Sequence, residues 1–120
     1  MKIGVIFYYV GDLQVAINAY SVILGTAPSD IDRDWARFKL EGSDLAVHLN
    51  PDLPRIKTSH PVKYGAVASL SVEAIHDFLA LAEEAGFIGA GEVQDLPYGL
   101  QAQIRDPWGN RLSVLQPKGQ

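Results

Sequence analysis

The stretch RDPWGNRLSVLQP, residues 105–117, contains a tight turn followed by apolar residues. Asp106 can accept backbone N–H bonds, Pro107 fixes φ at the first corner, and Gly109 supplies a position with positive φ. Asn110 tolerates unusual backbone angles as well. Because turns of this composition join antiparallel strands, the stretch predicts a β-hairpin near the end of the chain.

Upstream of the hairpin, the chain shows one order of elements twice. In the first half, a strand at 1–10 precedes a helix that begins after the N-cap Asp12 and stops at Gly25. Two strands then follow, at 35–41 and 45–50.

The second half repeats this order after a proline-rich linker. A strand at 64–72 precedes a helix that stops at Gly86, and three further strands are predicted at 92–96, 100–105 and 111–116. The two helical segments, VGDLQVAINAYSVILG (10–25) and VEAIHDFLALAEEAG (72–86), share their apolar spacing and a closing glycine. The repetition favours an internal duplication, with the helices on one face of the sheets and the other face free.

Composition limits the class of protein. A chain of 120 residues is long enough to form one stable domain without disulfide bonds or a structural metal. The absence of cysteine excludes disulfides, thiolate metal sites and a cysteine nucleophile. The net charge of −4, with scattered basic residues, makes nucleic-acid binding improbable. The chain has neither a cleavable signal pattern nor an apolar run of membrane-spanning length, so we expect a soluble, cytoplasmic protein.

The hairpin also carries a family resemblance. RDPWGNRLSVLQP is similar to the closing hairpin of the glyoxalase/bleomycin resistance protein/extradiol dioxygenase superfamily, whose members usually have Asp-Pro-Asp-Gly-Asn there. The 10–25 segment resembles the first helix of that family, and LPYGLQAQIRDPWGN (96–110) resembles its bleomycin-resistance branch. The resemblance covers nearly the whole chain.

The resemblance implies an α+β fold of two βαβββ modules that form a curved mixed sheet with a concave cleft. Module 1 is expected at about 1–50, the linker at about 51–63 and module 2 at about 64–117, all within a single domain. It further implies a homodimer in which modules pair or exchange between subunits.

The superfamily's enzymes hold a divalent metal with up to four side chains. By resemblance, the corresponding positions in this chain are Val5, His48, Val67 and Ser113. Only His48 has a metal-binding side chain, whereas a catalytic zinc needs about three protein ligands. His60 and His76 lie away from these positions. We therefore expect no metal, no other cofactor and no catalytic residue.

Strand alternation then assigns side chains to the cleft. In the first strand, Phe7 and Tyr9 share a face with Val5. In the strand predicted at 35–41, Trp35 and Arg37 lie on the face opposite to the apolar residues, which are expected to pack against a helix. In a later strand Gln101, Gln103 and Arg105 form a polar set that faces away from the core. Tyr98 matches the aromatic of the bleomycin-resistance motif. The predicted ligand-binding residues are Phe7, Tyr9, Trp35, Arg37, His48, Tyr98, Gln101 and Gln103.

Three functions remain open from the sequence. The first is a metal-free protein that sequesters an aromatic or cationic small molecule, such as an antibiotic, because aromatic faces stack rings and hold cations. The second is a metal-dependent lyase, isomerase or extradiol dioxygenase of the same superfamily. The third is an interaction module with a vestigial cleft. An exposed Trp108 would either extend the cleft or contact another subunit.

Overall fold

Two mixed sheets, each with one helix, form the α+β fold in a computed structural model that describes residues 1–57, 65–89 and 92–119. The chain divides into two compact units, Met1–Arg55 and Ile56–Gln120. Residues 58–63 of the predicted linker, including His60, and the predicted strand start at Tyr64 lie outside the described residues.

The first unit has the element order of a βαβββ module. Its elements are β1 (Val5–Val10), α1 (Leu13–Leu24), β2 (Asp30–Ile31), β3 (Trp35–Phe38) and β4 (Asp44–Leu49). The strand order is β1-β4-β3-β2, with β1 parallel to β4 and the other pairs antiparallel.

Helix α1 begins and ends as its sequence predicts. The Asp12 side chain accepts a hydrogen bond from Val15 N at 3.0 Å, which satisfies one free N–H of the first turn. Gly25 ends the helix in the left-handed conformation, with φ of 68°. The buried face of α1 includes Ile17 and Tyr20, and α1 packs on β3 and β4. Phe38 and Val47 are buried from those strands, so one sheet face forms the core of this unit.

The second unit repeats the arrangement with one strand interrupted. Its elements are β5 (Ala68–Ser71), α2 (Ile75–Glu84), β6 (Ile88–Gly89), β7 (Gln94–Leu96), β8 (Gly99–Arg105) and β9 (Arg111–Pro117). Strand β5 is parallel to β9, β9 pairs antiparallel with β8, and both β6 and β7 pair with β8. The pieces β6 and β7 thus share the edge position that β2 takes in the first unit. Leu112 and Val114 are buried from β9, against which α2 packs.

The predicted hairpin joins β8 to β9. The Asp106 carboxylate accepts hydrogen bonds from Trp108 N at 3.0 Å and from Asn110 N at 2.9 Å. Gly109 adopts a φ of 93°, as the turn requires. Asn110 has no positive φ; its Nδ2 instead donates to Asp106 Oδ2 at 2.7 Å.

Two side chains of this hairpin are buried, contrary to expectation. Trp108 is only 6% exposed, so it is a core residue of the second unit rather than an exposed ring. Arg105 is 1% exposed, although it continues the polar set of β8. Its guanidinium donates to the carbonyl oxygens of Asp106, at 2.8 Å, and Ile56, at 3.0 Å, so chain segments cover it at the strand end.

Several strand boundaries also differ from those predicted. Strand β1 begins at Val5 because its partner β4 begins at Asp44, opposite Val5. Strand β3 ends at Phe38 because Leu40 N bonds the Asp44 carboxylate and Gly42 turns the chain with φ of 85°. Strands β2 and β6 were not predicted, since two residues are too few to show a periodic pattern. None of the helices in the described residues has the length and hydropathy to cross a membrane.

Candidate functional site

Four ring side chains meet on the open face of the first sheet. His48 in β4 lies directly between its register partners Tyr9 in β1 and Trp35 in β3. Phe7 lies on the same face two residues before Tyr9, because strand side chains alternate. We call the rings of Phe7, Tyr9, Trp35 and His48 the aromatic surface.

The rings of the aromatic surface contact one another. The centroid of the His48 ring lies 5.2 Å from that of Tyr9, 5.8 Å from that of Trp35 and 6.0 Å from that of Phe7. Phe7 also lies 5.5 Å from both Tyr9 and Trp35. Most of these pairs are steeply inclined, which is the edge-to-face arrangement that aromatic quadrupoles favour.

The aromatic surface is open to solvent. Phe7 is 44% exposed and Tyr9 is 50% exposed, whereas Trp35 and His48 are half-buried. The helix covers the opposite face of this sheet, so nothing in the first unit covers these rings. Large exposed rings that gather on one face mark a place where another molecule can bind.

A depression of about 680 Å³ adjoins the aromatic surface, and its lining residues are Asp32, Arg33, Asp34, Trp35 and His48. The tip of the β2–β3 hairpin forms its wall. Asp32 N bonds the Trp35 carbonyl at 2.7 Å, and the Asp34 carbonyl accepts from Leu49 N at 2.7 Å, which fixes the tip to the end of β4. The depression has the volume of a drug-sized ligand site, for which about 300–1,000 Å³ is usual.

Arg37 lies on the same sheet face as the rings, two residues after Trp35 in β3. Its Nε donates to Asp44 Oδ2 at 2.8 Å, so the guanidinium is already in an ion pair. The hydrogen bond from Arg37, followed by the one from Leu40 N, holds the pKa of the Asp44 carboxyl below its ordinary value of 3.8. Arg37 is therefore bound to a partner within its own sheet.

His48 has a different environment. Its Nδ1 is buried and makes no hydrogen bond within the part of the chain that the structure describes. The other ring nitrogen, Nε2, is absent from the buried unpaired atoms, and the ring lines the depression. A polar ring amid aromatic rings without its own partner is unusual, because buried polar groups are normally hydrogen-bonded.

The remaining predicted residues belong to the second unit. Gln101 Nε2 donates to Ser113 Oγ at 3.0 Å, and Gln103 is the register partner of Ser113. Tyr98 is 61% exposed at the turn between β7 and β8. Within their units, the structure thus brings together Phe7, Tyr9, Trp35 and His48 on one surface, and Gln101 with Ser113 on another.

The positions that the resemblance assigns to metal ligands do not fit a divalent metal. Val5 and Val67 have no donor atoms, Ser113 is hydrogen-bonded to Gln101, and His48 alone supplies a nitrogen. Across residues 1–57, 65–89 and 92–119, no group of three or more His, Cys, Asp or Glu side chains is arranged to hold a metal ion. A catalytic metal needs about three protein ligands.

Sequence reasoning missed the charged part of the depression. None of the predicted ligand-binding residues comes from the loop around Arg33, but Asp32 and Asp34 line the depression beside Trp35. Their immediate position before an aromatic strand residue was the pattern that could have identified them.

Comparisons with known proteins agree with the topology. The family model of the Glyoxalase/Bleomycin resistance protein/Dioxygenase superfamily matches residues 2–114. A glyoxalase-related enzyme from Fulvimarina pelagi superimposes with a TM-score of 0.75 at 22% identity, covering 96% of this chain and 87% of that one. A glyoxalase/bleomycin resistance protein/dioxygenase family enzyme from Burkholderia phytofirmans PsJN gives a TM-score of 0.78 at 12% identity, covering 98% and 99%.

A glyoxalase/bleomycin resistance protein from Albidiferax ferrireducens T118 is similar too, with a TM-score of 0.72 at 18% identity over 94% of this chain and 96% of that chain. No curated protein sequence matches the chain. At these identities, the structural similarities establish the fold.

Proposed function

The chain belongs to the Glyoxalase/Bleomycin resistance protein/Dioxygenase superfamily, and we propose that it is a metal-free binding protein that sequesters an aromatic or cationic small molecule. The exposed aromatic surface carries this proposal. Its half-exposed rings of Phe7 and Tyr9 would lose contact with water when a ligand covers them. Each ring pair formed with a ligand adds about 0.5–1.5 kcal/mol beyond the area buried.

The charges around the depression support a cationic group on the ligand. Asp32 and Asp34 contribute two carboxylates to the lining, and Arg33 contributes one cation. A cation over an aromatic face gains about 0.5–2 kcal/mol in addition. An antibiotic with an aromatic ring and a positive charge has this chemistry, and its capture in the cytoplasm would keep it from its target.

The donor set disfavours the alternative of a metal-dependent lyase, isomerase or dioxygenase. Those reactions need a metal to polarise an oxygen or activate a reactant. With Val5, Val67 and Ser113 at the ligand positions, His48 is the single strong donor among the assigned positions. A binding protein needs no such ligands, so the aromatic surface is sufficient for its function.

We also propose that the protein is a homodimer. Both edge strands of the first sheet expose apolar side chains, Ile6 in β1 and Ile31 in β2. Association with a second copy of the chain along these edge strands would bury their exposed apolar side chains. Light scattering after size-exclusion chromatography should give about twice the chain mass of 13.1 kDa, and a mass of one chain would contradict the dimer.

The function is tested by melting the protein in the presence of aromatic and cationic antibiotics. A ligand at about 100 times its Kd adds about 2.7 kcal/mol, which raises the Tm by about 10 °C for a chain of this length. Phe7→Ala should reduce the shift, whereas Val22→Ala, which truncates an exposed apolar residue on α1, should preserve it. If no compound raises the Tm, or if both variants behave alike, the aromatic surface is not the binding site.

A further inference from the structure

We infer that His48 is the hydrogen-bond acceptor of the site, and that the ligand is an aromatic molecule with an N–H or O–H donor at the edge of its ring. This inference rests on the proposed function and specifies the ligand class. It starts from the two ring nitrogens of His48: Nδ1 is buried without a partner, whereas Nε2 is not among the buried unpaired atoms, and the ring lines the depression.

The arrangement of rings determines what shape of ligand fits. The centroid of the Phe7 ring lies 5.5 Å from the centroids of the Tyr9 and Trp35 rings, so the three rings contact one another through Phe7. Rings in edge-to-face contact differ from the facing rings of an aromatic cage, which enclose a compact ammonium group. The aromatic surface instead presents exposed rings against which a flat molecule can lie.

The surroundings of Nδ1 determine where the neutral imidazole carries its proton. Tyr9 and Trp35 stand at 82° and 71° to the His48 ring, and Phe7 at 49°. A nitrogen lone pair among these rings is repelled by their negative faces, whereas an N–H is attracted to them. An N–H at Nδ1 can thus donate to a neighbouring ring, and with the neutral proton at Nδ1 the other nitrogen, Nε2, keeps its lone pair.

A lone pair on Nε2 makes the depression rich in acceptors. The carboxylates of Asp32 and Asp34 line the same depression, and Arg33 is the one cationic side chain among its lining residues. No hydrogen bond joins His48 to the other described residues, so a ligand donor that bonds Nε2 would displace no protein partner. The ring of the ligand then covers the aromatic surface while its edge donor bonds His48.

A matched pair of fragments tests this inference. Indole carries an N–H donor on a flat ring, and 1-methylindole has the same ring without the donor. In NMR titrations of the wild-type protein near pH 8, where an ordinary histidine is neutral, indole should bind about 3- to 10-fold more tightly than 1-methylindole. In the same samples, ¹⁵N-detected ring spectra should show Nδ1 of His48 protonated and Nε2 unprotonated.

His48→Phe keeps a ring at this position and removes both nitrogens. It should bind indole and 1-methylindole equally, whereas the matched variant His76→Phe, on an exposed position of α2, should retain the preference for indole. The ring spectra of the wild-type protein need no variant: indole, and not 1-methylindole, should shift the Nε2 resonance of His48, which separates His48 from the carboxylates of Asp32 and Asp34 even if His48→Phe is poorly folded.

The possible failures are distinguishable. If both fragments bind the wild-type protein equally, or if Nε2 carries the proton, His48 is not the acceptor, although the aromatic surface still binds rings. If neither fragment perturbs the resonances of Phe7, Tyr9 or Trp35, the proposed binding function fails and this inference fails with it.

Discussion

Arg105 holds the backbone of Ile56: Nη2 of Arg105 donates to the Ile56 carbonyl oxygen at 3.0 Å. The backbone N–H of Ile56 is bonded as well, since it donates to the Pro107 carbonyl oxygen at 2.8 Å. Both backbone groups of Ile56 therefore bond the turn between β8 and β9. The turn that carries the family resemblance thus anchors the first residues of the second unit.

Replacing Arg105 with Met should destabilise the protein. The side chain of Met has similar length but leaves the Ile56 carbonyl without its Arg105 donor, whereas the Asp106 carbonyl keeps the bond from Gly109 N. The lost hydrogen bonds cost about 1–3 kcal/mol net, because the variant no longer has to bury the charge of Arg105. Urea unfolding measures the loss. Arg55→Met makes the same chemical change at an exposed position and should cost little. Equal stabilities of the two variants would contradict the anchoring role of Arg105.

Gly109→Ala should destabilise more than Gly42→Ala. Both glycines have positive φ, 93° and 85°, so alanine is strained at either position. A Cβ at Gly109 would also lie 3.1 Å from Ile56 Cγ1, whereas a Cβ at Gly42 meets no atom within 4 Å. We expect an additional loss of about 0.5–1 kcal/mol at Gly109. The difference should disappear in an Ile56→Ala background; its persistence there would show that Ile56 is not the cause.

The ion pair of Arg37 and Asp44 should make stability depend on pH below neutrality. Because the folded pKa of Asp44 lies below its ordinary value of 3.8, the pair stabilises the folded state above that pH. This contribution is lost as the pH falls through the folded pKa. Thermal melts of wild type and Asp44→Asn should therefore differ at pH 7 and converge as the pH falls below 3.8 and through the folded pKa.

Asp52→Asn is the control for this pH series, since Asp52 forms no ion pair with the described residues. Its melting curve should follow that of the wild type throughout. A constant difference between wild type and Asp44→Asn down to the lowest pH would show that the carboxylate charge is not the stabilising feature.

Much of the fold follows from local chemistry in the sequence. The cap at Asp12, the left-handed Gly25 and the Asp106 turn each depend on residues a few positions apart, and all three were predicted correctly. Strand alternation likewise assigned Phe7, Tyr9 and Trp35 to the cleft face, and the family resemblance assigned His48, whose ring they contact.

What the sequence did not predict depends on contacts between distant residues. Trp108 is buried by the packing of the second unit, and Arg105 is covered by a segment forty-nine positions away in sequence. The pairing of Arg37 with Asp44 likewise follows from the β3–β4 register. Asp32 and Asp34 enter the depression because a hairpin tip folds against β4, which no periodic pattern reveals.

The most direct test of metal-free binding is elemental analysis of the purified, undialysed protein, with parallel melts in Zn²⁺, Ni²⁺, Mn²⁺ and Fe²⁺. With His48 as the only strong donor at the assigned positions, we predict below about a tenth of an equivalent of any metal and no rise in Tm. Near-stoichiometric metal, or a metal-dependent rise in Tm that His48→Phe abolishes, would contradict the account and would indicate a metal-dependent enzyme.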